Sequence, residues 1–585
     1  MNYTSVSRKN WVLKKYDKNI VLKYCEKYLL DEIIARLLVI KKINEKKLKT
    51  FLKPTVRDTM PDPYILKDMD IAVNRIQQAI YKNEKIGIFG DYDVDGASST
   101  ALLVKFFNNI KHPYEILIPD RIKDGYGPTS HAFDKLIKKK VNIIITVDCG
   151  TVSFDAIDYA YKNKINVIIL DHHQSEVKLP KALALVNPNR IDCKSKLNYL
   201  CASGVTFLFL VSLDKLLKKN NWYKKKKILE LNLINYLDLV CLGTICDVVP
   251  LVDFNRTIVR QGLKILKKRT NIGISTLYDL THTQGTPNSY YVGYLLGPII
   301  NAGGRVGKSS YGSELLSTND EIKASKIAQE LILYNNKRKI LQNELIKLVE
   351  KKILKEISNP VLVLSGTDWH EGVIGIIAAK IKDKFLKPTI LISFTGQKGK
   401  GSARSVYGFD IGAVLVAASN EKIILKGGGH KMAGGFEINK NNIDKFKKFL
   451  FEKFKKSKAS NILHNEIYID GLISPTALNE NFYKTLDLVA PYGSGNSEPI
   501  FLIENVKIIK AIKIAEEHIK IVFTTNTNIT FKAMAFNSVG SEMENYLSNN
   551  YKKKINIIGK LSLNEWRGRR NIEFIIEDIS VIKNK

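Results

Sequence analysis

Three short β-branched runs, each ending in acids or imidazoles, constrain this 585-residue chain more than any other feature. Residues 86–89 run into Gly90-Asp91-Tyr92-Asp93-Val94-Asp95-Gly96, 141–147 into Asp148-Cys149-Gly150, and 165–170 into Asp171-His172-His173. Apolar runs of this length, bounded by turns, read as strands buried on both faces, and the stretches between them (97–108 and 153–163) read as helices. That alternation predicts an α/β unit with a parallel sheet and right-handed connections. The carboxyl ends of parallel strands share one edge, where ligand crevices form, so the three motifs are predicted to meet there.

A fourth motif, Gly243-Thr244-Ile245-Cys246-Asp247-Val248-Val249-Pro250, follows a helical stretch over 231–242. Carboxylates gathered in one crevice repel one another unless cations neutralise them. Oxygen donors with an imidazole suit Mg²⁺ or Mn²⁺ better than zinc, and two such ions can clamp the attacking and leaving oxygens of a phosphoryl displacement. Taken singly, an Asp before a helix is an ordinary cap and an Asp-Gly pair an ordinary turn; four such motifs, each after a buried run, argue for a site. Anion-binding candidates accompany them. Gly401-Ser402-Ala403-Arg404-Ser405 offers hydroxyls and a guanidinium fork, and Gly427-Gly428-Gly429-His430 lets backbone approach a ligand closely. Asn301-Ala302-Gly303-Gly304-Arg305 has similar character, and Arg121 opens a loop ending Gly125-Tyr126-Gly127. Each is weak alone; beside a metal site they favour a phosphate substrate.

Further along, Thr318-Asn319-Asp320-Glu321 has capping-box spacing. Ala324, Ile327, Leu331, Tyr334, Arg338, Leu341, Leu345 and Leu348 then recur at helical steps, predicting one long helix over 318–356 with Arg338 on its apolar stripe. A second α/β pattern starts at Pro360 and ends near the lysine-rich stretch 445–458. After it, β-rich runs (466–469, 500–514, 519–525, 529–535, 555–561, 571–581) predict a small β-barrel.

Lys and Arg number 91 against 58 Asp and Glu, a net +33 that suits a polyanionic partner. A composition rich in Lys, Asn and Ile produces the same excess without selection for binding. The six cysteines form no CxxC pair, which fits reduced thiols in a cytoplasmic protein. The N-terminus lacks the apolar core of a signal peptide. Of two long uncharged stretches, 197–213 is too short to span a bilayer and 283–304 is interrupted by Pro287 and Pro298, so no continuous helix is expected there and no membrane association.

Together these motifs resemble the DHH phosphoesterases. The four acidic and histidine motifs look like the DHH set, and Trp369-His370-Glu371-Gly372-Val373-Ile374-Gly375, with the 401–405 and 427–430 motifs, looks like the accessory DHHA1 domain. Their order, the chain length and Ala490-Pro491-Tyr492-Gly493-Ser494-Gly495-Asn496-Ser497-Glu498-Pro499-Ile500-Phe501 resemble the RecJ family of single-strand-specific 5′→3′ exonucleases, with a C-terminal OB-fold. The resemblance implies an N-terminal segment (1–45), a parallel-sheet DHH domain (46–317), a connecting helix (318–356), a smaller α/β DHHA1 domain (357–458) and a β-barrel OB-fold domain (459–585). It implies metal ligation by Asp93, Asp95, Asp148, His172 and Asp247. Asp91 would act as a further ligand or as an acid behind the ligands, and His173 would stand near the scissile phosphate. Arg121, Asn301, Arg305, Arg338, Ser402, Arg404 and His430 would bind substrate. Two departures stand out: Phe89 occupies a position where some relatives carry a metal-binding His, and Gly303 one where Ala is common.

What the resemblance implies is an exonuclease that uses two Mg²⁺ or Mn²⁺ ions to cut single-stranded DNA from its 5′ end into 5′-mononucleotides. It would act in DNA repair and recombination, beside a single-strand-binding protein or helicase. Trp566, with Arg567, Arg569 and Arg570, is a candidate stacking contact for the trailing strand. Two other readings stay open: a DHH-type phosphodiesterase for short oligonucleotides or cyclic dinucleotides, and a non-catalytic DNA-binding component.

Overall fold

The computed structural model describes residues 3–121, 124–125, 127–282, 285–461, 466–551, 553–566 and 569–581. The first sheet holds β1 (Ile86–Phe89), β2 (Tyr114–Leu117), β3 (Ile143–Val147), β4 (Asn166–Leu170) and β5 (Ala184–Val186), all parallel, in the order β2-β1-β3-β4-β5. Side chains alternate between the two faces. Ile88, Ile145 and Ile168 enter the core beneath helices α1 (Val94–Asn109), α2 (Ala202–Lys219), α3 (Leu237–Cys246) and α4 (Asp253–Lys267), whereas Phe89, Ile144 and Ile169 pack on the other side. Phe89 stacks edge-on against Phe133, with centroids 5.8 Å apart, so its ring belongs to that second core. The half-exposed edge strand β2 is hidden in the sequence because Tyr114-Glu115 interrupts its apolar pattern. Strand order reverses direction between β1 and β3, which makes the gap above their carboxyl ends the crevice of the sheet.

Helix α1 starts three residues earlier than its apolar pattern suggests. The Asp93 carboxylate accepts from Gly96 N–H at 3.0 Å and caps the helix, which draws Asp95 into the first turn. The stretch from 285 to 304 also departs from expectation: a π-helical turn over Tyr291–Leu296 leads without interruption into α5 (Gly297–Val306), with Pro298 at the junction between the two windings.

The long helix α6 (Glu321–Glu356) is capped by Asp320, whose carboxylate accepts from Ile322 and Lys323 N–H, and not by Thr318. Its first half buries Ala324, Ile327 and Leu331 in the core of the first domain. The second half buries Leu345, Val349 and Ile353 against Leu362, Val373 and Ile377. At about 1.5 Å per residue it spans roughly 54 Å, one helix serving two cores. Leu348 is exposed, because a stripe stepped at 3.5 residues drifts off the buried face of a 3.6-residue helix. Beyond it, β6 (Leu362–Thr367), β7 (Thr389–Thr395), β8 (Lys398–Arg404), β9 (Lys426–His430) and β10 (Ala433–Asn439) form a mixed sheet ordered β9-β10-β8-β7-β6, flanked by α7 (Glu371–Phe385).

The last domain is a closed five-stranded barrel of β11 (Phe501–Ile514), β12 (His518–Thr524), β13 (Thr530–Ala535), β14 (Lys554–Trp566) and β15 (Arg569–Val581), sealed by pairing of β11 with β14. The 466–469 run lies outside it and pairs in parallel with Asn10–Leu13. Trp11 Nε1 donates to Asp578 at 3.1 Å, and Val21, Ile34, Leu37 and Leu48 share the core of Phe501, Phe523 and Phe574. Residues 10–48 therefore pack as part of the barrel unit. Among the described residues no helix is long and apolar enough to cross a membrane.

A guanidinium pair docks the barrel onto the first domain. Buried Arg256 donates to the carbonyls of Phe51, Val489, Leu488 and Ala490 at 2.7–3.3 Å and lies 3.7 Å from the Phe51 ring; Arg260 reaches Leu488 and Ala490. Leu251, four residues past Asp247, donates to Ser494 O at 2.7 Å. The Arg256→Met variant leaves several buried carbonyls unpaired and is expected to cost about 3 kcal/mol. A lowered denaturant midpoint with early proteolysis near residue 490 would show it; an unchanged midpoint would refute the docking role.

Candidate metal centre and arginine-lined cleft

The four sequence motifs converge above the β1/β3 crevice. The amides of Asp148 and Asp171 extend the ladder, donating to Leu170 O (3.0 Å) and Val186 O (3.1 Å), so both motifs leave the sheet in fixed register. Gly96 must be glycine: a Cβ there would stand 2.7 Å from the Asp91 Cβ. His172 Nε2 lies 3.3 Å from Asp148, 3.6 Å from Asp247 and 3.9 Å from Asp95. Ligand atoms of Asp91, Asp93 and Asp148 fall within 4.8 Å of one another, as do those of Asp95, His172 and Asp247, and those of Asp148, His172 and His173. Asp148 belongs to both an acidic set and a histidine set. Asp95 is additionally pinned at the N-terminus of α2, accepting from Ala202 (2.6 Å) and Ser203 (3.0 Å).

These residues fit a divalent pair on their own chemistry. Asp91, Asp148 and Asp247 are held well above the usual carboxylate range, first by burial and then by one another and Asp93 or Asp95. Asp91 Oδ1 is buried with no hydrogen-bond partner. A cation would neutralise these carboxylates and partner the orphaned oxygen. Asp171 behaves differently: burial pushes it up, but His173, His172 and Thr151 outweigh that and carry it below the usual range. It holds His173 Nδ1 at 2.7 Å, and although burial opposes charge on the ring, Asp171 raises His173 to about 9.

The second domain faces this centre. The His430 ring, on β9, stacks on His173 with centroids 5.0 Å apart; burial, then His173 and His172, lower it to about 4. Arg404 donates to Ser402 Oγ at 3.1 Å and to Ala403 O. Gly375 opposite must stay small, since a Cβ would reach 2.8 Å from Ser402 Oγ and 2.9 Å from Arg404 Nη2. Arg305, at the end of α5, donates to Gly372 O at 3.2 Å and is lowered to about 9 by burial and then by Arg121, Arg404 and Arg338. Arg121 lies 5.2 Å over the Tyr92 ring. Arg338 is buried between the neutral oxygens of Asn335 and Gln342. Among the described residues none of these four guanidiniums is in a direct ion pair, so cations are assembled beside a cluster of acids without being held by them, an arrangement suited to phosphate. Asn301 is closer to the scaffold than its motif implied: its side-chain oxygen accepts from Val94 N–H at 3.1 Å and anchors the start of α1.

Family models match along the same divisions: the DHH family N-terminal domain over 85–244, the DHHA1 domain over 358–456 and the RecJ OB domain over 469–578. A single-stranded-DNA-specific exonuclease RecJ from Bacillus subtilis (strain 168) is 30% identical over 98% of this chain and 71% of its own length. The chain belongs to the RecJ family. A crystal structure of Thermus thermophilus RecJ in complex with Mn²⁺ superposes with a TM-score of 0.78 at 25% identity, covering 98% of this chain and 80% of that one. The same protein with Mg²⁺ gives a TM-score of 0.73 at 24% identity, over 98% of this chain and 78% of its own. Membership makes the chain a metal-dependent nuclease with a DHH domain, a DHHA1 domain and an OB domain, each of which the structure contains.

Several residues around this RecJ-family site have roles that the sequence does not show. Asp171 stands in its motif without an evident task; in the fold it accepts from the Thr151 hydroxyl (2.6 Å), from the amides of His172 and His173 and from the His173 ring, making it the hub that fixes the backbone of both histidines and orients the His173 imidazole. Asn187 donates to His173 O and Thr151, and Asn189 to His172 O. These asparagines follow β5 in an unremarkable loop, so only the fold brings them in. His370 caps α7 by accepting from Gly372 N–H at 3.1 Å. Of the candidate stacking group, the Trp566 and Arg569 side chains and all of Arg567 lie outside the described residues, and Arg570 pairs with Glu565 at 2.7 Å.

Proposed function

We propose that this chain is a single-strand-specific exonuclease that hydrolyses DNA from the 5′ end to 5′-mononucleotides, with two Mg²⁺ or Mn²⁺ ions. The observation that carries this reading is the facing of two opposed charge clusters, the Asp/His centre of the first domain and the guanidiniums around Arg305 and Arg404. Asp91, Asp93 and Asp148 would hold one ion and Asp95, Asp148, His172 and Asp247 the other. Bound there, divalent ions polarise phosphoryl oxygens and acidify a water. Asp171 fixes Nδ1 of His173, which reserves proton transfer to a leaving oxygen for Nε2. Ser402, Arg404, Arg305 and Arg121 would grip a terminal phosphate, and a grip on the 5′ phosphate, next to the centre, sets the direction of digestion. By kinship we place this work in DNA repair and recombination, in the cytoplasm, beside a single-strand-binding protein or a helicase.

Single strands labelled at the 5′ or the 3′ end, incubated with Mn²⁺, Mg²⁺ or chelator, test it. The 5′ label is expected to leave at once as a mononucleotide while the 3′ label passes down a ladder, with duplex spared and no product in chelator. Release of the 3′ label first, or internal cuts, would overturn the assignment.

A further inference from the structure

The helix that delivers Asn301 and Arg305 to the cleft continues backwards into a feature that catalysis does not use. Tyr290 and Tyr294 are 67% and 74% exposed, and their rings stack on each other with centroids 4.9 Å apart and planes 27° from parallel. Tyr290 caps the π-helical turn Tyr291–Leu296 and Tyr294 lies within it, an i, i+4 spacing that sets the two rings on one side of the helix. Isolated exposed aromatics are common on protein surfaces, but two tyrosines stacked in solvent, with the Tyr291 ring edge-on to Tyr290 at 6.4 Å, form a largely exposed flat apolar face.

Position along the helix supplies the rest. Tyr290, Tyr294, Pro298, Asn301 and Arg305 are the exposed or half-exposed members of one face, while Val292, Leu296, Ile299, Ile300, Ala302 and Gly304 are buried. At up to 1.5 Å per residue the tyrosines lie about 10–17 Å from Asn301, the length of three to five stacked nucleotides at about 3.4 Å each. The turn is anchored to the metal motif: Cys246 Sγ, next to Asp247, donates to Val292 O at 3.7 Å. The loop before it touches the barrel, where Thr286 N–H donates to Glu565 of β14 at 3.3 Å. The pair therefore stands between the catalytic cleft and the barrel.

We infer that Tyr290 and Tyr294 form a base-stacking platform for the nucleotides that trail the scissile phosphate of a single strand. The inference rests on the proposed function for the identity of the strand. Every base offers a π-face, so such a platform holds DNA without reading sequence, and the rings select unpaired bases because paired ones are already stacked.

The test measures affinity by fluorescence anisotropy in chelator, so no strand is consumed. The probes are a 20-nucleotide single strand and the same strand lacking bases at nucleotides 3–6 from its 5′ end. Stacked bases are worth about 5- to 150-fold each in affinity. The Y290A/Y294A variant is expected to bind the intact strand about 10-fold or more weakly than wild type, and the abasic strand equally. Y290F/Y294F, which keeps both rings, should restore binding to within about 2-fold. Wild-type affinity of the Ala pair for the intact strand overturns the platform, and so does an equal loss on the abasic strand. A wild-type protein that binds in this pattern but digests no single strand with Mn²⁺ would sink the proposed function and leave the platform standing.

Discussion

Asp148→Asn is expected to lose at least about 10³-fold in nuclease activity and, in chelator, to melt a few degrees higher than wild type. Both effects come from one carboxylate. Asp148 is common to the acidic and histidine sets, so its removal disturbs both ion positions. A divalent ion supplies several kcal/mol of charge stabilisation, and each 1.36 kcal/mol is tenfold in rate. Without metal the same carboxylate is a liability, buried beside Asp93, Asp95, Asp91 and Asp247. Asparagine keeps its shape and removes the repulsion.

Backbone strain does not confuse this test. Asp148 has φ +61°, a left-handed conformation that asparagine tolerates as well as aspartate does. Calorimetry in chelator reads the stability gain, and Mn²⁺ titration followed by electron paramagnetic resonance reads the lost site. Wild-type Mn²⁺ affinity in the variant would remove Asp148 from the ligand set, whatever the activity did.

The convergence of the candidate metal centre is legible in sequence because it obeys a local rule: β-branched runs make buried strands, and polar residues directly after them lie at the sheet edge. Asp93 shows the limit of that rule. Its motif marks it as a ligand, but its cap on α1, which pulls Asp95 into the helix, depends on a side-chain conformation that spacing does not encode. The guanidinium cluster is harder to see, since each Arg alone reads as surface, and only the meeting of α5, α6 and β8 places Arg305, Arg338 and Arg404 together. Packing of residues 10–48 into the barrel core is invisible for a related reason. The parallel pairing of Asn10–Leu13 with Glu466–Ile469 joins segments more than 450 residues apart, and neither run is distinctive. The π turn at Tyr291 is masked because two prolines in an uncharged stretch read as breakers, although Pro298 falls at the junction between the two windings.

The guanidinium cluster leads to the second large effect. Arg305→Met is expected to reduce kcat/KM on a 5′-phosphorylated strand by about 10²-fold and to erase the preference for phosphorylated over 5′-hydroxyl ends. A charged hydrogen bond to phosphate is worth about 1.5–3 kcal/mol, and a forked guanidinium makes two. Arg305→Lys should rescue little, since an ammonium has no planar fork. Losing one phosphate contact should also flatten the slope of log kcat/KM against log salt by about one. Stability should move the other way: methionine gives up one bond, to Gly372 O, but relieves the crowding of Arg305 by Arg121, Arg404 and Arg338 while preserving most of the side-chain volume. Gain of stability with loss of end preference is the signature of a site built to be completed by an anion. If Arg305→Met kept the 5′-phosphate preference, the terminal phosphate would have to be held elsewhere, and the polarity of digestion would need another origin.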